Sequence, residues 1–338
     1  LDQRELLFHV LDGGKPPRFP VLGPGGLINV INFTILDRLG IPLPAAHYSG
    51  AMMAELAAAG HDVEGFDCVG VPLCLTAEAE VLGAKVDMGD GTYLPRVVAF
   101  PVLTLREIID QAVPALLNHG RIPHVLRAVE LLRRMRPRVP VVASIAGPAT
   151  LVASLIRPSG ILDLTKESPS LLNELFEGIT SFLCAYVEAL VENGADVIFI
   201  HEPAARAKSY LGLDLLVNVI PYLNELSRYA RLGGARLIMH VCGGDVTHVD
   251  TLRETDMDAY SFDPDIDPGQ AAQVLKKPVV GTVPPSIVNH FPPEMVLEET
   301  LLAVKRGASI ICPPCGLGLD TPLENLRIMA EASRRFSV

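Results

Sequence analysis

Short runs of apolar residues recur along the chain, with amphipathic stretches between them. Eight runs read as strands: Phe19–Leu22, Cys68–Leu73, Val139–Ala143, Val197–His201, Leu237–Val241, Ala259–Phe262, Val279–Thr282 and Ser309–Cys312. Most are rich in Val and Ile and lack strict alternation, as parallel strands covered on both faces do. Helical spacing fills the gaps. Ser168–Gly194 carries apolar residues at intervals of three and four, begins in a serine region suited to an N-cap and stops at a glycine. Pro293–Gly307 and Leu323–Ser337 read the same way, and the opening LDQRELLFHVLDGG is an amphipathic helix rather than a signal peptide. Internal repeats and low-complexity segments are absent from the sequence.

Eight strands alternating with helices predict an α/β fold, a (β/α)8 TIM barrel forming a single domain over residues 1–338. Residues 74–137 are long for one βα unit and are expected to be an insertion after the second strand. They contain GDGTYLPRV, which reads as a hairpin, and an insertion at that place falls on the catalytic mouth of a barrel. A doubly wound open sheet is the alternative. Its nucleotide-binding forms lose support, because no G-x-G-x-x-G follows the first strand and no G-x-x-x-x-G-K-[ST] occurs.

Composition narrows the function classes. The chain of 338 residues is 49% hydrophobic and 20% charged, enough for a sizeable core. Its formal net charge of −11 repels a phosphate backbone, and 5% aromatics without Trp are thin equipment for base stacking, so nucleic acid is not an expected partner. No apolar run reaches the ~18 residues of a membrane span, and a cytoplasmic location is expected. Six cysteines, at 68, 74, 184, 242, 312 and 315, fit reduced, buried or metal-bound roles better than a disulfide framework.

Ligand-type residues gather at strand ends. His240 and Cys242 form H-x-C at the end of the fifth expected strand, and Cys315 follows the eighth, in CPPCGL. Positions i and i+2 of a strand share a side, and all strand carboxyl ends of a barrel open on one face. One nitrogen and two sulfurs suit Zn²⁺, and three protein ligands leave a fourth position open, the layout of a catalytic zinc. Two plainer readings compete: a buried His and Cys pair for H-x-C, and a redox pair for C-x-x-C.

The stretches HVCGGDVTHVDTLRETDMDAYSFDPDID, VVGTVPPSIV and GASIICPPCGLGLDTPLENLRIM resemble the uroporphyrinogen decarboxylase superfamily, and within it the cobalamin-dependent methyltransferase branch, which includes methylcobamide:coenzyme M and chloromethane methyltransferases. The resemblance is strongest over 190–335. It implies a (β/α)8 barrel and a zinc held by His240, Cys242 and Cys315, with the T-P-L-E-N-L tail kept. It implies transfer of a methyl group between a corrinoid (cobalamin) protein and a small donor or acceptor, chiefly a thiol such as coenzyme M held as zinc thiolate. The decarboxylases lack this metal set and carry an Arg-rich motif near the start, where this chain has LGPGGLINV. A corrinoid module shows D-x-H-x-x-G, whereas Asp245 and His248 have another spacing, so methylcobalamin is expected on a separate partner protein. Gly147 and Pro148, in SIAGPAT, resemble the family's G-P turn and are candidate cofactor-binding positions, with plain loop geometry as the alternative.

Further candidates come from strand ends. Asp263, in SFDPDID, reads either as a partner or transient fourth ligand of the metal, or as a loop-capping aspartate. Glu202, in HEPAA, could hydrogen-bond substrate or a zinc-bound histidine; His201, Cys312, Cys68 and Cys74 read as core. Two other functions stay open: a metal-free decarboxylase, and a non-catalytic member that only binds a corrinoid protein. A monomer or homodimer is expected.

Overall fold

The computed structural model describes residues 1–23, 31–110, 113–205, 212–243, 246–313, 315 and 317–335. The LGPGGLINV segment beyond Gly23 and Asp245 lie outside them. Nine strands are assigned among the described residues: β1 (Val69–Val71), β2 (Lys85–Asp87), β3 (Arg96–Ala99), β4 (Val141–Ala146), β5 (Val197–His201), β6 (Arg236–Val241), β7 (Ala259–Phe262), β8 (Val279–Thr282) and β9 (Ile310–Cys312). Seven of them form one parallel sheet in the order β1-β4-β5-β6-β7-β8-β9, with helices in the crossovers. The pair β2–β3 is the hairpin around GDGTYLPRV, antiparallel and separate from the main sheet.

The first expected strand, Phe19–Leu22, is corrected to a single parallel bridge, Val21 to Ile311. The cause is local. Pro20 has no N–H to give, and the N–H of Val21 is taken by the Asp67 carboxylate at 2.9 Å instead of a neighbouring carbonyl. Even so, this segment touches both edges of the sheet. Leu22 N–H donates to the Ile311 carbonyl (2.8 Å), and Asp67 N–H donates to the Val21 carbonyl (2.7 Å) just before β1.

Alternation sorts the strand side chains into two cores. Val142, Val197, Phe199, Ile238, Ala259, Val280, Ile310 and Cys312 face inward. Leu7, Val10 and Leu11 join them from the helix Gln3–Leu11, which plugs the amino end and starts at an Asp2–Glu5 capping box. The alternate residues, among them Ile198, Ile200, Leu237, Met239 and Val241, pack against the surrounding helices. The long helix runs Pro169–Glu192; Ser168 stands at its N-cap without a side-chain capping bond. Gly194 ends it at φ +109°, a conformation that L side chains rarely adopt. The two later helices are Pro293–Lys305 and Leu323–Arg335. Among the described residues no helix is long and apolar enough to cross a membrane.

Asp67 is buried and receives both Arg18 Nη atoms at 2.7 Å as well as Val21 N–H. It therefore ties the Val21 segment to β1. Asp67→Ala should lower stability by roughly 2–3 kcal/mol, the scale of a lost hydrogen bond to a charged group. Chemical denaturation at an unchanged slope would show this as a lower midpoint; an unchanged midpoint would remove Asp67 from that role.

Candidate metal centre

Parallel pairing sets the site's first level. His201 on β5 stands opposite His240 on β6, which stands opposite Ser261 on β7. Phe199, Ile238 and Ala259, two residues earlier on each strand, belong to the inner core, so all three side chains point inward. Cys242 follows two residues after His240 on the same side, just past the end of β6. Cys315 arrives from the loop after β9.

Three of these atoms meet. His240 Nε2 lies 3.2 Å from Cys242 Sγ and 3.0 Å from Cys315 Sγ, and the two sulfurs are 3.5 Å apart. Asp263 completes the group: one donor atom from each of the four residues falls within 4.8 Å of every other. Its Oδ2 also accepts Gly243 N–H at 2.6 Å, which fixes the turn that carries Cys242. His240 is fully buried, whereas Cys242, Asp263 and Cys315 are half-buried, so the set is reachable from the sulfur and carboxylate side. Cys315 as hydrogen-bond partner, with His240 beside it, pulls the Cys242 thiol well below its ordinary range. The Cys315 thiol is pushed up by that same bond and by burial.

This donor set fits a zinc ion. The separations of 3.0–3.5 Å are near the edges of a small tetrahedron with ligand lengths of about 2.0–2.3 Å. The soft sulfurs and the imidazole match that metal better than Mg²⁺ or Ca²⁺, which take oxygen. All six cysteines are free thiols, and Cys68, Cys74, Cys184 and Cys312 are buried away from solvent. Burial pushes Cys312 up to about 12, in keeping with a core thiol.

Glu202, Gly147 and Pro148 form a different constellation. Glu202 is buried at the end of β5 and faces the start of the helix Pro148–Leu155. Its Oε1 accepts Ala149 N–H at 2.9 Å, and its Oε2 accepts Thr150 N–H at 3.0 Å and the Thr150 hydroxyl at 2.9 Å. The carboxylate therefore caps a helix whose own N-cap, Gly147, has no side chain to offer. A Cβ at Gly147 would lie 2.1 Å from Glu202 Oε1, so the glycine makes room for the carboxylate. Burial pushes Glu202 up to about 7 against the pull of those donors. Glu78 is similar: it accepts Ala146 N–H at 3.1 Å, and burial pushes it up to about 7. His201 stacks on Phe199 at 4.8 Å, with its ring 6.1 Å from that of His240.

Sequence reasoning missed Ser261, whose Oγ lies 3.0 Å from His240 Nδ1, and also the capping partners Ala149 and Thr150. Ser261 was findable, since it is two residues before Asp263 on the same strand face. The capping partners carried no sequence signal. Glu202→Gln should destabilise the fold by about 1–3 kcal/mol, because an amide NH₂ would face an N–H donor. Thermal unfolding of the zinc-free chain reads this out, and an unchanged melting temperature would count against the cap.

Comparisons with known proteins identify the family and the fold. The uroporphyrinogen decarboxylase (URO-D) family model matches residues 2–336. A methylcobamide:CoM methyltransferase of Methanosarcina mazei is 30% identical over 304 residues, covering 89% of each chain. A uroporphyrinogen decarboxylase of Shewanella piezotolerans is 24% identical over 236 residues, covering 66% of this chain and 64% of its own. The solved structure of a methyltransferase from Methanosarcina mazei superposes with a TM-score of 0.89 at 27% identity, covering 99% of both chains. The seven-stranded parallel sheet is thus that of a TIM barrel, and the chain belongs to the uroporphyrinogen decarboxylase family, in its methyltransferase branch.

Proposed function

We propose that the chain is a zinc-dependent methyltransferase that passes a methyl group between the corrinoid of a partner protein and a small thiol such as coenzyme M. One observation carries the reading: His240, Cys242 and Cys315, with Asp263 beside them, converge from three strand ends within metal-ligand distance of one another. The relatives whose names contain methylcobamide and CoM support the two reactants. A metal-free decarboxylase has no use for two half-buried thiols against a buried imidazole.

Each residue has a task. His240, Cys242 and Cys315 hold the ion, and when bound it supplies the Lewis acidity that keeps a substrate thiol deprotonated near neutral pH. Asp263 lies beside these three donors and is held by Gly243 N–H, where its carboxylate would accept the proton of a substrate thiol. His240 is fully buried, so its side of the site excludes water. Glu202 and Gly147 act at one remove, by holding the β4 and β5 ends in position. We read residues 74–137 as the part of the mouth that selects the small substrate, with the corrinoid protein approaching that same face.

Purified protein should contain about one zinc per chain and should demethylate methylcobalamin in the presence of a thiol. Cys242→Ser and Cys315→Ala should lose zinc and lower turnover by more than about a hundredfold, beyond the 10–100-fold typical of residues that only support a ligand. Full turnover in zinc-free Cys315→Ala would overturn the proposal.

A further inference from the structure

The inward side of β7 presents three residues of different character. Ala259 packs in the inner core, Asp263 just past the strand joins the donor cluster, and Ser261 lies between them, fully buried. A hydroxyl in such a place is destabilising unless it is hydrogen-bonded. Ser261 Oγ lies 3.0 Å from His240 Nδ1. This contact is set by the backbone ladder, because β6 and β7 pair His240 directly with Ser261.

The hydrogens of this chain have one consistent arrangement around a cation. Nε2 faces both site sulfurs, so to bind a metal it must present its lone pair there. A neutral imidazole then carries its hydrogen on Nδ1, and that hydrogen donates to Ser261 Oγ. The other tautomer would aim an N–H at the sulfurs and block ligation.

We infer that Ser261 is a positioning residue: its hydroxyl holds His240 in the ring orientation and tautomer that leave Nε2 free for the metal. The inference rests on the zinc reading above. It assigns one function to residues on two strands, β6 and β7, that meet only in the folded barrel.

Two variants of matched shape isolate the hydroxyl. Ser261→Thr keeps it and Ser261→Val removes it, and both add the same bulk. In chelator competition the Val variant should bind zinc about 10–100-fold more weakly than the Thr variant, the range expected for the partner of a metal-bound histidine. Cobalt(II) loaded into the two should show different d–d bands. Equal zinc affinity and equal bands, even with a lower melting temperature for Val, would overturn the inference and leave the zinc reading intact. A wild-type chain that takes up no zinc would overturn both. If neither variant folds, ¹⁵N NMR of the zinc-loaded wild type decides: a slowly exchanging Nδ1–H on His240 is expected, and rapid exchange or ligation through Nδ1 overturns the inference.

Discussion

The two-residue repeat of a parallel strand is the constraint on which the rest depends. On β6 it places Ile238, His240 and Cys242 on one side, from the apolar floor of the barrel to its open end. A shift of one residue would turn the imidazole and the thiol outward, into the helical layer where Leu237, Met239 and Val241 now pack. The same repeat on β7 aligns Ala259, Ser261 and Asp263. Two adjacent strands in register therefore deliver a ligand pair, a partner for the histidine and a carboxylate. Only Cys315 must come from farther away.

Keeping those strand ends in place takes buried charge, which must be fully hydrogen-bonded to be tolerated. Asp67 does this at one edge of the sheet, where Arg18 and Val21 satisfy it. Asp196 does it at the amino ends, where its carboxylate receives Arg4 at 2.7 Å and Val141 N–H at 2.8 Å. Glu202 does it at the carboxyl ends through the helix start at Ala149 and Thr150. In each case a carboxylate joins segments that lie far apart in the chain. The donor cluster is thus built on a frame that leaves it little freedom to rearrange when a ligand arrives.

Much of this was legible in the sequence, and the unread parts have identifiable causes. Val197–His201, Ala259–Phe262 and Val279–Thr282 are strands at their expected bounds, because dense Val, Ile and aromatic runs between turn residues leave little choice. His240 and Cys242 were readable together because alternation is local. Phe19–Leu22 was over-read: its apolar residues fit a strand, but Pro20 and the reach of Asp67 across the fold replace the ladder. Glu202 was read as a site residue from its position at a strand end. What it faces depends on how closely the Gly147 turn approaches, which no local pattern encodes. Ser261 was missed because its value lies in its neighbour on the adjacent strand.

The central claim is that His240, Cys242 and Cys315 hold a zinc whose remaining position is taken by a substrate thiol. Zinc K-edge X-ray absorption of the purified protein, recorded before and after addition of a thiol, tests it most directly. The account predicts two sulfurs and one nitrogen with an oxygen neighbour at first, then three sulfurs and one nitrogen. A first coordination sphere without two sulfurs, or a sulfur count that stays at two when thiol is added, would contradict it.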